Sequence, residues 1–410
     1  MKIIDSTVLP PKYTPTLTEQ KKHMAFFDIE TTGLSPQASS LYLIGILYFD
    51  ESSDSWNMRQ WFADDYRSEK AILIDFLEFL KDFTYLYHFN GNTFDIPYII
   101  KKCNRHKIRI PESCKTIFED KEDRYSIDLL KHIRKLKPLL SLDKCNQTQI
   151  EHWLGIHRTD TFSGGELIPV YSEYMQQKII APHNASHLEK ELLLHNHDDI
   201  QMMLAVSSLL QYENYLSANF QTMHPVYPEG MELLLSSENM THLKIVMSND
   251  QITLSLPLPE CLPKKVIYHA GFPPSDHIHT DESVIEFSED CLKMTFPVFR
   301  GTLKLFLPNF ADYYYLPEED CAMHKSVAEF VEKSHRKKAT ASTCYLKKEG
   351  AFLPMLSPYS RHTAYPETNN VEQVFRYDYR EKLVCLAFPK EPEKAILFWA
   401  EYLRKQLAAL

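Results

Sequence analysis

Residues 23–34, His-Met-Ala-Phe-Phe-Asp-Ile-Glu-Thr-Thr-Gly-Leu, carry an apolar run straight into two carboxylates and a Thr-Thr-Gly turn. The run reads as a strand. Side chains alternate across a strand, so Asp28 and Glu30 project from one face of a rigid support. Two carboxylates held side by side repel and raise each other's pKa, an arrangement that calls for a cation to share. The same residues also read as a strand that simply enters a polar turn, because short acidic patterns are common.

A second apolar run, Tyr85-Leu86-Tyr87-His88-Phe89, leads into Asn90-Gly91-Asn92-Thr93-Phe94 and then Asp95. This predicts a buried strand, a turn and a helix that opens on the aspartate. Taken alone, Asp95 reads as a helix-start acid favoured by the macrodipole. A third segment, residues 186–200, opens with Ser186 followed three residues later by Glu189, a capping-box pattern that predicts a helix from about His187. Leu188, Leu192, His195 and Asp199 recur on it at near-helical spacing, which places an imidazole and a carboxylate at the end of an apolar stripe.

Acid-x-acid, then Asn-x-x-x-Phe-Asp, then His-x-x-x-Asp on a late helix resembles, in that order, the DnaQ-like 3′–5′ exonucleases with their four acidic metal ligands. Within that superfamily the chain is most similar to the YprB-type ribonuclease-H-like group, over roughly residues 22 to 215. Weaker matches are Ser126-Ile127-Asp128-Leu129-Leu130 and the run from Gly165 to Met175. The resemblance implies that Asp28, Glu30, Asp95 and Asp199 are metal ligands and that His195 is the general base. In the histidine class of these enzymes the base precedes its aspartate by five residues, and in the tyrosine class by four. Here the spacing is four with a histidine; Asp198 would shorten it to three, so Asp199 is retained, with Asp198 as a lesser candidate and Asp128 as a strand-end residue.

The implied chemistry is phosphodiester hydrolysis by two divalent cations about 4 Å apart, which clamp the attacking and leaving oxygens. Hard oxygen ligands, with no Cys/His tetrad, favour Mg²⁺ or Mn²⁺. Asp28 would bridge both ions, Glu30 and Asp199 would complete the inner site, and Asp95 would hold the second ion mainly through water. His195, with an intrinsic pKa near neutrality, suits proton abstraction from water. Thr31, Asn90, Phe94, Lys101, Lys102 and Arg105 flank the acids and are the expected substrate contacts.

The resemblance implies an α/β ribonuclease-H-like domain over 22–218, a mixed five-stranded sheet flanked by helices. It follows an N-terminal extension over 1–21. After about residue 220 the texture changes to strand-like alternation broken by Pro-rich turns, which predicts a β-rich α+β accessory domain over 219–410. Within it, Ser326 to Lys338 reads as a helix, Phe375 to Phe388 as a hairpin and Glu391 to Leu407 as a closing amphipathic helix. The net charge of −10 makes no basic clamp for duplex, so nucleic-acid contacts must be local. Lys131, Arg134, Lys135 and Lys137 form one candidate cluster and Lys333, His335, Arg336, Lys337 and Lys338 another; each also reads as a solvated face. No run approaches a membrane span, no signal peptide is recognisable, and eight scattered cysteines make neither a zinc knuckle nor a disulfide framework. The expectation is a cytoplasmic enzyme that works on single-stranded 3′ ends of DNA or RNA in repair or turnover, with a helicase or other processing partner. The competing readings are a catalytically silent binding or assembly module and a hydrolase of small phosphate esters.

Overall fold

The first sheet grows outward from the acid-bearing strand. Its members are β1 (Lys2–Val8), β2 (Met24–Thr31), β3 (Leu41–Asp50), β4 (Ser55–Phe62), β5 (Tyr85–His88) and β6 (Ser126–Asp128), in the order β1-β4-β3-β2-β5-β6. β2 is antiparallel to β3 and parallel to β5, which makes the sheet mixed. Met24, Ala25, Phe26 and Phe27 are all fully buried, as a strand covered on both faces requires.

The computed structural model describes residues 1–14, 19–122, 124–158, 162, 164–180, 182–216, 230–248, 250–357 and 373–410. The chain divides into two compact units, Met1–Gly230 with Leu262–Lys264, and Met231–Cys261 with Lys265–Leu410. The boundary expected at 218/219 lies outside the described residues.

The sheet has six strands rather than the expected five. The addition is β1, an edge strand paired with β4 from Lys2↔Phe62 to Val8↔Trp56. Only Val8 of its seven residues is buried, so no hydrophobic alternation announces it in the sequence. Helices of this unit are α1 (Glu69–Leu80), α2 (Asp95–His106), α3 (Glu112–Phe118), α4 (Leu129–Leu136), α5 (Gln147–Leu154), α6 (Gly164–Ile180), α7 (Pro182–Val206) and α8 (Leu210–Leu216). Phe27 faces α1, its ring 5.9 Å from that of Phe76. Asp28, the next residue, points the other way and meets α7. The capping pattern at Ser186 does not start α7, which begins four residues earlier at Pro182, a residue type whose missing N–H has no intrahelical partner in the first turn.

The second unit is β-rich. β7 (Lys244–Met247), β8 (Gln251–Pro257), β9 (Val266–Ala270), β10 (Ser283–Phe287) and β11 (Cys291–Pro297) form an antiparallel sheet in the order β7-β8-β11-β10-β9. β12 (Phe299–Phe306), β13 (Tyr313–Leu316), β14 (Cys321–His324), β15 (Lys337–Lys338), β16 (Tyr345–Pro354), β17 (Val374–Phe375) and β18 (Cys385–Ala387) make two smaller sheets, β12-β16-β18-β17 and β14-β13-β15. β17 and β18 form the expected hairpin. The predicted closing helix spans Ile396–Leu407 and packs Tyr402 edge-on against Phe296, with ring centroids 5.0 Å apart. The expected helix over 326–338 is absent: one turn, Lys325–Ala328, is followed by a short 3-10 turn, and Lys337–Lys338 joins β13. Val327 and Phe330 are exposed, so the apolar positions that suggested a helix have no surface to bury.

Candidate metal centre

Glu30 is the next-to-last residue of β2, and His195 and Asp199 lie one turn apart on α7. Each offers a ligand atom within 4.8 Å of the others. His195 Nε2 is 3.6 Å from Glu30 Oε1 and 3.4 Å from Asp199 Oδ2. The imidazole is buried at 4 % exposure and Glu30 at 6 %, whereas Asp199 is partly open.

Asp28 and Asp95 lie outside that trio but within its electrostatic reach. Burial pushes the Asp28 carboxyl well above the usual carboxylate range, and the charges of Asp95, Glu30 and Asp199 push it further, against one hydrogen bond from Asn196. Asp95 is pushed up to about 7, first by burial and then by Asp128 and Asp199, against donation from its own N–H and that of Ile29. Asp95 opens α2 after a turn in which Asn90 takes a left-handed φ of 67°. A Cβ at Gly91 would sit 2.7 Å from the His88 ring, so only glycine fits there. Asp128, whose charge acts on Asp95, is also a local anchor. Its Oδ1 caps α4 through Leu130 N–H at 3.2 Å and accepts from Asn90 N–H at 2.9 Å, which ties the Asp95 turn to β6.

Four residues that the sequence reading passed over hold the acids in place. Asn196 donates from Nδ2 to Asp28 Oδ2 at 3.1 Å, and its Oδ1 accepts from Gln60 Nε2 at 3.0 Å. Gly45, opposite Asp28 on β3, admits this amide: a Cβ there would lie 2.1 Å from Asn196 Oδ1 and 2.4 Å from Ile200 Cδ1. Arg158 forms a fork on Glu151 through Nε and Nη2 and reaches Asp199 Oδ1 through Nη1. Asn196 had a sequence signal: with Leu192 and Ile200 it forms an i, i+4 row in which a lone amide interrupts apolar residues. Arg158 had none, being 41 residues from its partner.

The residues fit a bound divalent cation. The donors are carboxylate oxygens and one imidazole, with Arg158 on Asp199 and Asn196 on Asp28 as two of their partners. Tyr42 Oη, fully buried on β3, has no hydrogen-bond partner among the described residues. Burial raises this phenol well above its usual value, with Glu30, Tyr171 and Asp28 adding to the shift. A buried hydroxyl without a partner is compatible with a bound water or ion near these acids.

The expected substrate contacts divide. Asn90 and Phe94 are half-buried, with Thr93 Oγ1 donating to Asn90 Oδ1 at 2.9 Å and the Phe94 ring leaning on Tyr98 at 5.5 Å. Thr31 is buried and donates to Gly33 O at 3.0 Å. Lys101 is exposed on α2, and Arg105, also exposed, donates to Gln37 O at 2.9 Å. Lys102 departs from expectation: it is 1 % exposed and bound to Glu69 at 2.7 Å, so its charge serves the interior rather than a substrate. In the other basic clusters Lys135 pairs with Glu213, His335 pairs with Glu318, and Arg336 lies over the Tyr314 ring.

Residues 25–211 match the family model for the RNase_H superfamily, and the fold of the first unit is ribonuclease-H-like. A DNA polymerase of Ostreid herpesvirus 1 (isolate France) is 36% identical over 52 residues, 12% of this chain and 3% of the polymerase. Among solved structures, the family B DNA polymerase of the hyperthermophilic archaeon Pyrobaculum calidifontis aligns with 94% of this chain and 46% of its own, at 13% identity and a TM-score of 0.39. E. coli exonuclease I in complex with a dT13 oligonucleotide aligns with 60% of this chain and 54% of its own, at 11% identity and a TM-score of 0.31. The chain thus spans about half or less of the length of each of these proteins.

Proposed function

We propose that the first unit is a metal-dependent nuclease of the DnaQ-like, YprB-type kind, which removes nucleotides from the 3′ ends of single-stranded nucleic acid. The observation that carries this reading is the convergence of Glu30, His195 and Asp199 within 4.8 Å beside two carboxyls, Asp28 and Asp95, held high by burial and the charge of neighbouring acids. Asp28, Glu30, Asp95 and Asp199 are the residues that would hold Mg²⁺ or Mn²⁺. Such ions, when bound, would supply water activation and charge stabilisation at the leaving oxygen. His195 presents Nε2 to the acids, so the proton of the attacking water is taken at that atom. Glu30, buried on a central strand, faces the imidazole with Oε1 3.6 Å from Nε2. Phe94 and the exposed Lys101 and Arg105 would guide the strand end, the aromatic ring by stacking and the cations by phosphate contact. An enzyme with so modest a basic surface suits ends delivered by a helicase or another processing partner, in DNA repair or RNA turnover.

The test is digestion of 5′-labelled single-stranded DNA and RNA oligonucleotides with Mg²⁺, Mn²⁺ or EDTA, beside the Asp28→Ala protein. A metal-dependent ladder that shortens from the 3′ end, absent in the variant, is the expected result and selects the sugar. Both substrates remaining intact with either metal would overturn the reading in favour of a silent binding module.

A further inference from the structure

The amide contact on Asp28 is one end of a chain whose polarity is set at the other. Leu193 contributes a main-chain carbonyl, which can only accept. Gln60 Nε2 donates to it at 2.9 Å, which fixes which end of the Gln60 amide faces α7. The same Nε2 donates to Asn196 Oδ1 at 3.0 Å, so Asn196 must turn its Nδ2 away from Gln60 and toward Asp28 Oδ2, at 3.1 Å. Asn196 is 0 % exposed and Gln60 4 %, so no bulk water competes for either amide. Gly45 supplies the room.

We infer that Gln60 and Asn196 are positioning residues, an orienting relay that presents a fixed N–H to Asp28 Oδ2 and so directs the remaining Asp28 lone pairs to a bound divalent cation. The inference rests on the metal-centre reading above and adds to it two residues that touch neither ion nor substrate. With Asn196 reversed, an amide oxygen would face a carboxylate oxygen. Asp28 would lose its oriented donor and swing, and cation binding would weaken although every proposed ligand remained in place.

Gln60→Glu makes that reversal, because a carboxylate cannot donate to both Leu193 O and Asn196 Oδ1. Asn196→Leu deletes the donor. Gln60→Met removes both donations without adding charge. The measurement is Mn²⁺ binding to the EDTA-stripped full chain, read from the electron paramagnetic resonance of free Mn²⁺, with near-UV circular dichroism to confirm folding. Gln60→Glu and Asn196→Leu are each expected to weaken binding about tenfold, about 1.4 kcal/mol, and Gln60→Met about threefold. In the double variant Gln60→Glu with Asn196→Leu, binding should be no weaker than in Asn196→Leu alone, because Gln60 acts only through Asn196. Should Gln60→Glu fail to fold, Gln60→Met and Asn196→Leu decide the matter: wild-type affinity in both, or fully additive losses in their double variant, would overturn the relay. A merely structural role would lower stability in EDTA and leave Mn²⁺ affinity alone. Asp28→Ala separates the two ideas. If wild type binds Mn²⁺ no better than Asp28→Ala, the metal centre and the relay fall together; if wild type binds better but the Gln60 and Asn196 variants match it, only the relay falls.

Discussion

Glu69 and Asp28 are both carboxylates inside the same unit, and their surroundings are opposite. Glu69 accepts from Leu41 N–H at 2.7 Å and pairs with Lys102 at 2.7 Å and His106 at 2.5 Å. Burial works to raise it, yet those donors and charges outweigh burial and hold its carboxyl below the usual range. Asp28 has one amide donor and three neighbouring acids, and sits well above that range. The first region is balanced. The second is unbalanced, and a bound proton or a bound cation would each relieve it. The comparison teaches where to look for function in a protein of this kind: not at buried charge as such, but at buried charge whose partners are of the same sign.

The contrast can be broken most sharply at His195. His195→Ala is expected to lower cleavage by 10²- to 10⁴-fold and to leave a remnant with a shifted pH dependence, read from initial rates between pH 5 and 9, while the urea midpoint stays close to wild type. A rate profile that matched wild type across that range would remove the general-base role. Next in size is Glu69→Ala, which strands the buried Lys102 ammonium. A loss of about 3–5 kcal/mol in urea unfolding is expected, with normal cleavage per folded molecule; unchanged stability would put Glu69 and Asp28 in one class after all.

The pH dependence of the metal-free protein sharpens the comparison. Asp95 has a folded pKa of about 7 against an ordinary 3.8, so the folded state binds the extra proton. The stability this group contributes is complete below about pH 4 and is lost as pH rises through 7. In EDTA, unfolding free energy should therefore decline across that window, by at most on the order of 4 kcal/mol from this group, and Asp95→Asn should flatten the decline. Saturating Mg²⁺ should also flatten it in wild type. A slope unaffected by either would mean that the acids are not strained. The smallest effect is expected on the surface: Lys101→Ala with Arg105→Ala should weaken oligonucleotide binding only a few-fold at low salt, and the difference should vanish as salt rises.

What was legible in the sequence was local. The alternation through Asp28 and Glu30, the turn before Asp95 and the helical spacing from His195 to Asp199 each fit within a few residues, and each lies in an element of the expected type, although α7 begins at Pro182 rather than near His187. What was not legible depended on partners far along the chain. β1 is exposed on almost every residue and exists because β4 offers it an edge. Arg158 finds Asp199 across 41 residues, after Gly155 at φ 75° has ended α5. Lys102 looked like a surface cation in a basic run, and only the fold shows that Glu69 waits beneath it. The same holds for 326–338, where helical spacing had no apolar wall to pack against.

Gly45 has no functional group, and any inventory of reactive side chains would pass over it. Yet the smallest possible alteration there, one methyl, would sit 2.1 Å from Asn196 Oδ1 and 2.4 Å from Ile200 Cδ1, and would force the Asn196 amide off Asp28. What descendants of this chain must inherit at position 45 is therefore a volume kept empty, and the expected tolerance to mutation is as low there as at Asp28 itself.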